Sequence, residues 1–218
     1  GSGDGSIEFR GTKCYYSHSK ITKDITPMKL ISSMLLLSVS LLYGADKFYA
    51  YGDLDQRHDG LMVEVKTQAL ANGIGRFYYD SGKVRGETLF KEGKREGMGK
   101  TYFETGELQG ETPFVNDKIE GMKKNYFSSG RIQAETPYKD DLAQGVAKTY
   151  YESGKLQSET PLVENKAEGV AKVYFESGQL AYEIEFKKNV ATKGFQYDKK
   201  GMKLALKEEE LQRFSTDK

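Results

Sequence analysis

The 218-residue chain carries 33 Lys and Arg against 32 Asp and Glu, a net charge of +1, and this balance excludes the strong basic field of a nucleic-acid binder. One cysteine, Cys14, and two histidines, His18 and His58, cannot build a disulfide framework or a zinc site, so no metal and no other cofactor is expected.

Residues 1–27 open with Gly-Ser-Gly-Asp-Gly-Ser and read as an appended or upstream segment ahead of a start at Met28. Over residues 28–45, Met28-Lys29, the apolar run from Leu30 to Leu42 and the closing Tyr43-Gly44-Ala45 lay out a secretory signal peptide: a positive start, a short hydrophobic stretch and small residues at its end. The run is too short to cross a bilayer comfortably, and no cysteine follows it to carry a lipid anchor. The layout predicts export to a periplasmic, outer-surface or secreted location; the competing reading makes Leu30 to Leu42 a buried helix. Residues 46–72 contain Gly60-Leu61-Met62-Val63-Glu64-Val65, which predicts a strand in an N-terminal cap.

Residues 73–192 are five 24-residue repeats opened by Gly73, Gly97, Gly121, Gly145 and Gly169. Tyr78, Tyr102, Tyr126, Tyr150 and Tyr174 fall in register, as do the turn glycines Gly82, Gly106, Gly130, Gly154 and Gly178. A repeat this short cannot bury its own core, so the units must stack. Tyr-, Phe-, Val- and Thr-rich segments flank each Ser-Gly turn, which marks a β-hairpin. A two-residue primed turn would force positive φ on a β-branched Thr105, so a three-residue loop with glycine in the left-handed region is predicted. That loop sets Tyr102 opposite Leu108, Tyr126 opposite Ile132 and Tyr150 opposite Leu156. The fold expected is all-β, an elongated antiparallel β-hairpin repeat solenoid built as a single long meander sheet, with a short C-terminal helix.

Plain alternation from the turn assigns Met98, Tyr102, Leu108, Gly110, Thr112 and Phe114 to a core face. Arg76, Lys100, Lys124, Lys148 and Lys172 are expected on the same side, with their charged ends snorkelling outward. The opposite, solvent face then carries an aromatic ladder, Tyr79, Phe103, Phe127, Tyr151 and Phe175, beside Gln109, Gln133, Gln157, Glu111, Glu135 and Glu159. These residues form the candidate binding surface. Pro113, Pro137 and Pro161 require a bulge, an edge or a strand exit, because they lack the N–H a central ladder needs. Residues 193–218 are expected to form a degenerate repeat and a helical cap, with Leu204 to Phe214 helical and Leu204 and Leu211 on one face.

At the strings Tyr78-Tyr79-Asp80-Ser81-Gly82-Lys83-Val84, Tyr102-Phe103-Glu104-Thr105-Gly106-Glu107-Leu108 and Tyr150-Tyr151-Glu152-Ser153-Gly154-Lys155-Leu156, the chain resembles bacterial variant MORN repeats, the membrane occupation and recognition nexus class. The resemblance covers about residues 57–201. It implies a β-hairpin solenoid that serves protein or membrane contact, and some bacterial relatives are antitoxins of toxin–antitoxin pairs.

Catalysis is not expected, because the polar groups recur as like copies along a surface and do not converge as unlike groups in a cleft. Glu87, Glu111, Glu135, Glu159 and Glu183 read as a solvated ladder and not as paired catalytic acids. The function expected is therefore an exported, non-catalytic module that binds a protein partner or a cell-surface component. Cell-wall glycan binding by evenly spaced rings and an antitoxin-like role are the alternatives.

Overall fold

The computed structural model describes residues 47–50 and 52–215; the upstream segment and signal peptide read above, with Cys14 and the run from Leu30 to Leu42, lie outside them. Strands β1 (Phe48–Tyr49), β2 (Leu54–Gln56) and β3 (Met62–Glu64) precede the repeats. Five hairpins follow: β4 (Gly73–Tyr78) with β5 (Val84–Lys91), β6 (Lys94–Tyr102) with β7 (Leu108–Val115), β9 (Gly121–Tyr126) with β10 (Ile132–Lys139), β12 (Gly145–Tyr150) with β13 (Leu156–Val163), and β15 (Gly169–Tyr174) with β16 (Leu180–Lys187). Two-residue strands β8 (Lys118–Ile119), β11 (Leu142–Ala143) and β14 (Lys166–Ala167) fold back onto β7, β10 and β13 between hairpins. β17 (Val190–Tyr197), β18 (Lys203–Ala205) and helix α1 (Glu208–Leu211) close the chain. Among the described residues, sixteen strands form one open meander sheet, antiparallel except where β1 runs parallel to β4, and β2 and β3 form a separate hairpin.

Two turn chemistries alternate along the sheet. At one end of each hairpin the predicted three-residue loop is present: Phe103 N–H donates to the Glu107 carbonyl, Gly106 N–H donates to the Phe103 carbonyl, and Gly106 takes φ 107°. At the other end a two-residue turn puts both residues in the left-handed region, as at Asn116 (φ 50°) and Asp117 (φ 72°), where short polar side chains tolerate it best. These turns also stack. Asn165 Oδ1 accepts from Ala143 N–H at 2.7 Å, and Asn189 Oδ1 accepts from Ala167 N–H at 2.6 Å. Pro113 fits because β7 pairs with β9 only through Gly110 and Glu111, and beyond them the Pro113 carbonyl accepts from Glu120 N–H at 3.1 Å. On that side no ladder partner waits for the missing proline N–H.

The predicted register holds, with Tyr102 opposite Leu108, Tyr126 opposite Ile132 and Tyr150 opposite Leu156. The predicted faces do not. Each hairpin has a bulge just past the turn, so Thr101 pairs with Gly110 while its neighbour Tyr102 pairs with Leu108, leaving Gln109 as the extra residue. One inserted residue reverses the alternation of everything beyond it. Tyr102 and Leu108 therefore share a face with Lys100, Glu111, Met98 and Pro113, whereas Gly110, Thr112 and Phe114 lie on the other face with Thr101, Gly99 and Gly97. Arg76, Lys100, Lys124, Lys148 and Lys172 likewise sit opposite Glu87, Glu111, Glu135, Glu159 and Glu183 and not on a core side.

Among the described residues, the expected core face does not form a continuous buried side either. Buried clusters occur at the two ends: Tyr49, Ala71 and Phe90 with Leu54 and Met62, and Ile184, Ala191 and Leu211 with Tyr182, Phe186, Leu206 and Phe214. Both pack on the Gly97–Thr112–Phe114 type of face. In between, among the described residues, the sheet is a single layer with no second layer on either face. At the C-terminus the predicted helix is much shorter: Leu204 lies in edge strand β18, opposite Gln196 and 68% exposed, and only Glu208–Leu211 is helical. Asp198 N–H bonding to the Met202 carbonyl, with Gly201 at φ 84°, repeats the three-residue loop, so residues 190–205 form a sixth, partial unit.

Candidate functional site

On the face that the caps cover at each end, small residues make a low floor. A Cβ on Gly75 would lie 2.8 Å from the Phe90 ring, and one on Gly99 would lie 2.9 Å from the Phe114 ring, so glycine lets each ring lie flat across the neighbouring strand. Beside the N-terminal cap this produces a groove of about 720 Å³ lined by Met62, Phe77, Thr88, Arg95, Thr101 and Phe114, among others. Arg95 stacks on the Phe114 ring, 4.3 Å from its centroid, and is held there by Asp117 at 2.9 Å. Thr88 is buried and its hydroxyl has no hydrogen-bond partner among the described residues. Further along, a second hollow of about 480 Å³ is lined by Phe127, Gln133, Ala134, Thr149, Tyr151 and Gln157, among others.

The aromatic ladder thus belongs to this face. Tyr79, Phe103, Phe127, Tyr151 and Phe175 are all half-buried, and their positions begin the turns. Tyr79 and Tyr151 reach across to the following unit, their hydroxyls donating to the Tyr102 and Tyr174 carbonyls at 2.6 and 2.7 Å. Gln133 and Gln157 share the second hollow with the rings, and Gln109 is exposed at its bulge. Glu111, Glu135 and Glu159 are not brought together with the rings; they occupy the opposite face. The Phe77–Phe90–Phe114 groove is not part of the candidate binding surface read from sequence, which set Phe114 on a core face, although Gly73-x-Gly75 and Gly97-x-Gly99 signal it, since later units put Lys123, Ala147 or Ala171 at the second position.

On the opposite face the glutamates are not simply solvated. Each accepts a hydrogen bond from the tyrosine of the next unit: Tyr102 to Glu87 at 3.0 Å, Tyr126 to Glu111 at 2.7 Å, Tyr150 to Glu135 at 2.8 Å, Tyr174 to Glu159 at 3.2 Å, and Tyr197 to Glu183. Arg76, Lys124 and Lys148 add ion pairs to Glu87, Glu135 and Glu159 at 3.3, 3.7 and 3.6 Å. Burial pushes the Tyr126 and Tyr150 hydroxyls up to about 12, and the neighbouring carboxylates act in the same direction. The donated bond from Tyr197 holds the Glu183 carboxyl below its ordinary range.

Because the folded tyrosines keep their protons where unfolded ones lose them, their contribution is complete below pH 10 and is lost as pH rises through about 12. Phenolate absorbance should show a late-ionising group of tyrosines, and the urea midpoint should fall across the same interval. A variant with Tyr126→Phe and Tyr150→Phe should show a shallower fall. An unchanged slope in that variant would remove these two residues from the effect.

Family comparison places the same units. The MORN repeat variant model matches residues 71–92, 95–116, 143–163 and 167–188. This is a MORN-repeat protein. MORN repeats are generally binding modules, and the family is typically non-catalytic. The third unit of the MORN array, outside the matched segments, keeps the hairpin, the bulge and the three-residue loop, with Phe127 N–H bonded to the Arg131 carbonyl at 2.8 Å. No curated protein matches the MORN chain. One solved structure, of accessory secretory protein 1, 2 and 3 in Streptococcus pneumoniae, is similar over 62% of this chain at 11% identity with a TM-score of 0.19. The chain spans only 21% of that structure, and at such a score the likeness carries no argument.

Proposed function

We propose that this MORN chain is a non-catalytic docking module, exported from the cell, whose aromatic face binds a protein partner or a cell-surface component. The observation that carries it is the row of half-exposed rings above a floor of small residues, open between the two caps and widening into two hollows. Rings of this kind supply large contact area at little conformational cost, and partly exposed aromatics in shallow pockets are the usual anchors of protein interfaces. Equivalent rings recur two strands apart, roughly 10 Å, so a partner can engage several at once. Export rests on the Met28-Lys29 start and the run from Leu30 to Leu42.

The test is binding of the purified chain to whole cells and to isolated peptidoglycan, before and after Phe103→Ala and Phe127→Ala together. Both residues lack the interunit hydroxyl bond of Tyr79 and Tyr151, so the fold should persist by circular dichroism. Loss of cell binding of tenfold or more is the expected result. Undiminished binding removes the aromatic face from the function, and binding to bare peptidoglycan shifts the ligand from protein to glycan.

A further inference from the structure

Among the described residues, nothing covers the face opposite the aromatic row along the repeats, and its side chains fall into three straight rows. The middle row alternates in sign across ten successive strands: Arg76, Glu87, Lys100, Glu111, Lys124, Glu135, Lys148, Glu159, Lys172, Glu183. Beside it runs an apolar row through Met98, Pro113, Met122, Pro137, Val146 and Pro161, in which Met98, Met122 and Val146 are 47%, 42% and 44% exposed. On the other side of the charges runs the tyrosine row. An exposed apolar stripe of this length marks an interaction surface.

We infer that this face pairs with the same face of a second copy of the chain, about a two-fold axis parallel to the strands between β9 and β10. Such an axis keeps each row over its own kind and reverses strand order. A row of ten that begins with a cation and ends with an anion then meets its opposite at every position: Lys124 faces the second copy's Glu135, Glu111 its Lys148, and Lys100 its Glu159. The apolar row is self-complementary in the same way, with Met122 over the second copy's Pro137 and Met98 over its Pro161. Among the described residues, Lys100 and Lys172 form no ion pair of the kind made by Arg76, Lys124 and Lys148. The pairing gives each of them a carboxylate.

Area supports it as well. Ten strands about 4.8 Å apart and six paired residues about 3.3 Å each give on the order of 1,000 Å² per copy. A standard stable interface needs about 800 Å² per partner. Sheet twist draws the outer corners apart, so contact is densest around Met122, Pro137, Val146 and Pro113, close to the axis. The docking face proposed above stays free in such a dimer.

Sedimentation velocity on the full chain at tens of micromolar should report twice the 24.5 kDa chain mass. Met122→Lys with Val146→Lys alters two exposed positions; it should give a monomer with unchanged circular dichroism and with partner docking retained. A second variant fixes the geometry: Met98→Cys with Pro161→Cys in a Cys14→Ser background. Those two sites lie five strands, about 24 Å, apart in one chain, yet meet across the axis, so a short bismaleimide should yield covalent dimers. A monomeric wild-type chain, a double-lysine variant that remains dimeric, or a dimer that fails to cross-link each overturns the inference.

Discussion

Ile184→Ala should lower the unfolding free energy by about 3 kcal/mol, while Leu156→Ala in the fourth unit should cost only about 1 kcal/mol. The two aliphatic residues look comparable in sequence, but Ile184 is 1% exposed inside the cluster with Ala191 and Leu211, whereas Leu156 is half-buried on a single-layer sheet. Truncating Ile184 leaves a cavity that Phe186, Leu206 and Phe214 cannot fill without moving α1 off Gly194, where a Cβ would already lie 2.9 Å from Leu206 and Leu211. Truncating Leu156 mostly exchanges one exposed surface for another. Because stability in stacked repeats accrues by unit and by interface, the loss should be local. Hydrogen exchange should speed up over residues 180–215 in the Ile184 variant and leave residues 97–139 protected. Equal losses for the two changes would mean that a continuous core runs along the array after all.

The second large effect belongs to the tyrosine–glutamate ladder. Glu135→Ala should cost about 2 kcal/mol, because it removes the acceptor of the 2.8 Å bond from Tyr150 and leaves Lys124 and Lys148 as unscreened neighbours across the gap. Glu135→Gln keeps an acceptor and loses only the charge, so about 1 kcal/mol is expected. A double-mutant cycle with Tyr150→Phe should return a coupling near 1 kcal/mol, the part that belongs to the hydrogen bond itself. This contact joins the third unit to the fourth, so exchange should quicken in both hairpins together. A loss within about 0.5 kcal/mol, the usual range for an unremarkable surface change, would show the ladder to be a consequence of stacking and not a cause.

Much of the architecture was legible because its causes are local. Glycine at Gly106 and a β-branched residue at Thr105 select the three-residue loop, and the loop alone fixes Tyr102 opposite Leu108. The candidate aromatics were identifiable as a row for the same reason, since each opens a turn that recurs every 24 residues.

What a side chain faces was not local. The bulge leaves one residue of each unit unpaired, Arg85, Gln109, Gln133, Gln157 and Ala181 in turn, and nothing in a string such as Glu107-Leu108-Gln109-Gly110 distinguishes a bulge from regular alternation until the neighbouring strand is in place. One such residue in each unit moves Glu111, Glu135 and Glu159 away from Phe103, Phe127 and Tyr151 and sets them before the tyrosines of the next unit. Repetition in the sequence by itself determined the hairpins, their turns and their register, because those follow from the φ preferences of a few residues. Only the tertiary structure decided the faces, the partnering of each glutamate and the confinement of the buried clusters to the ends, because these depend on which strand, cap or helix arrives from elsewhere to cover a given surface.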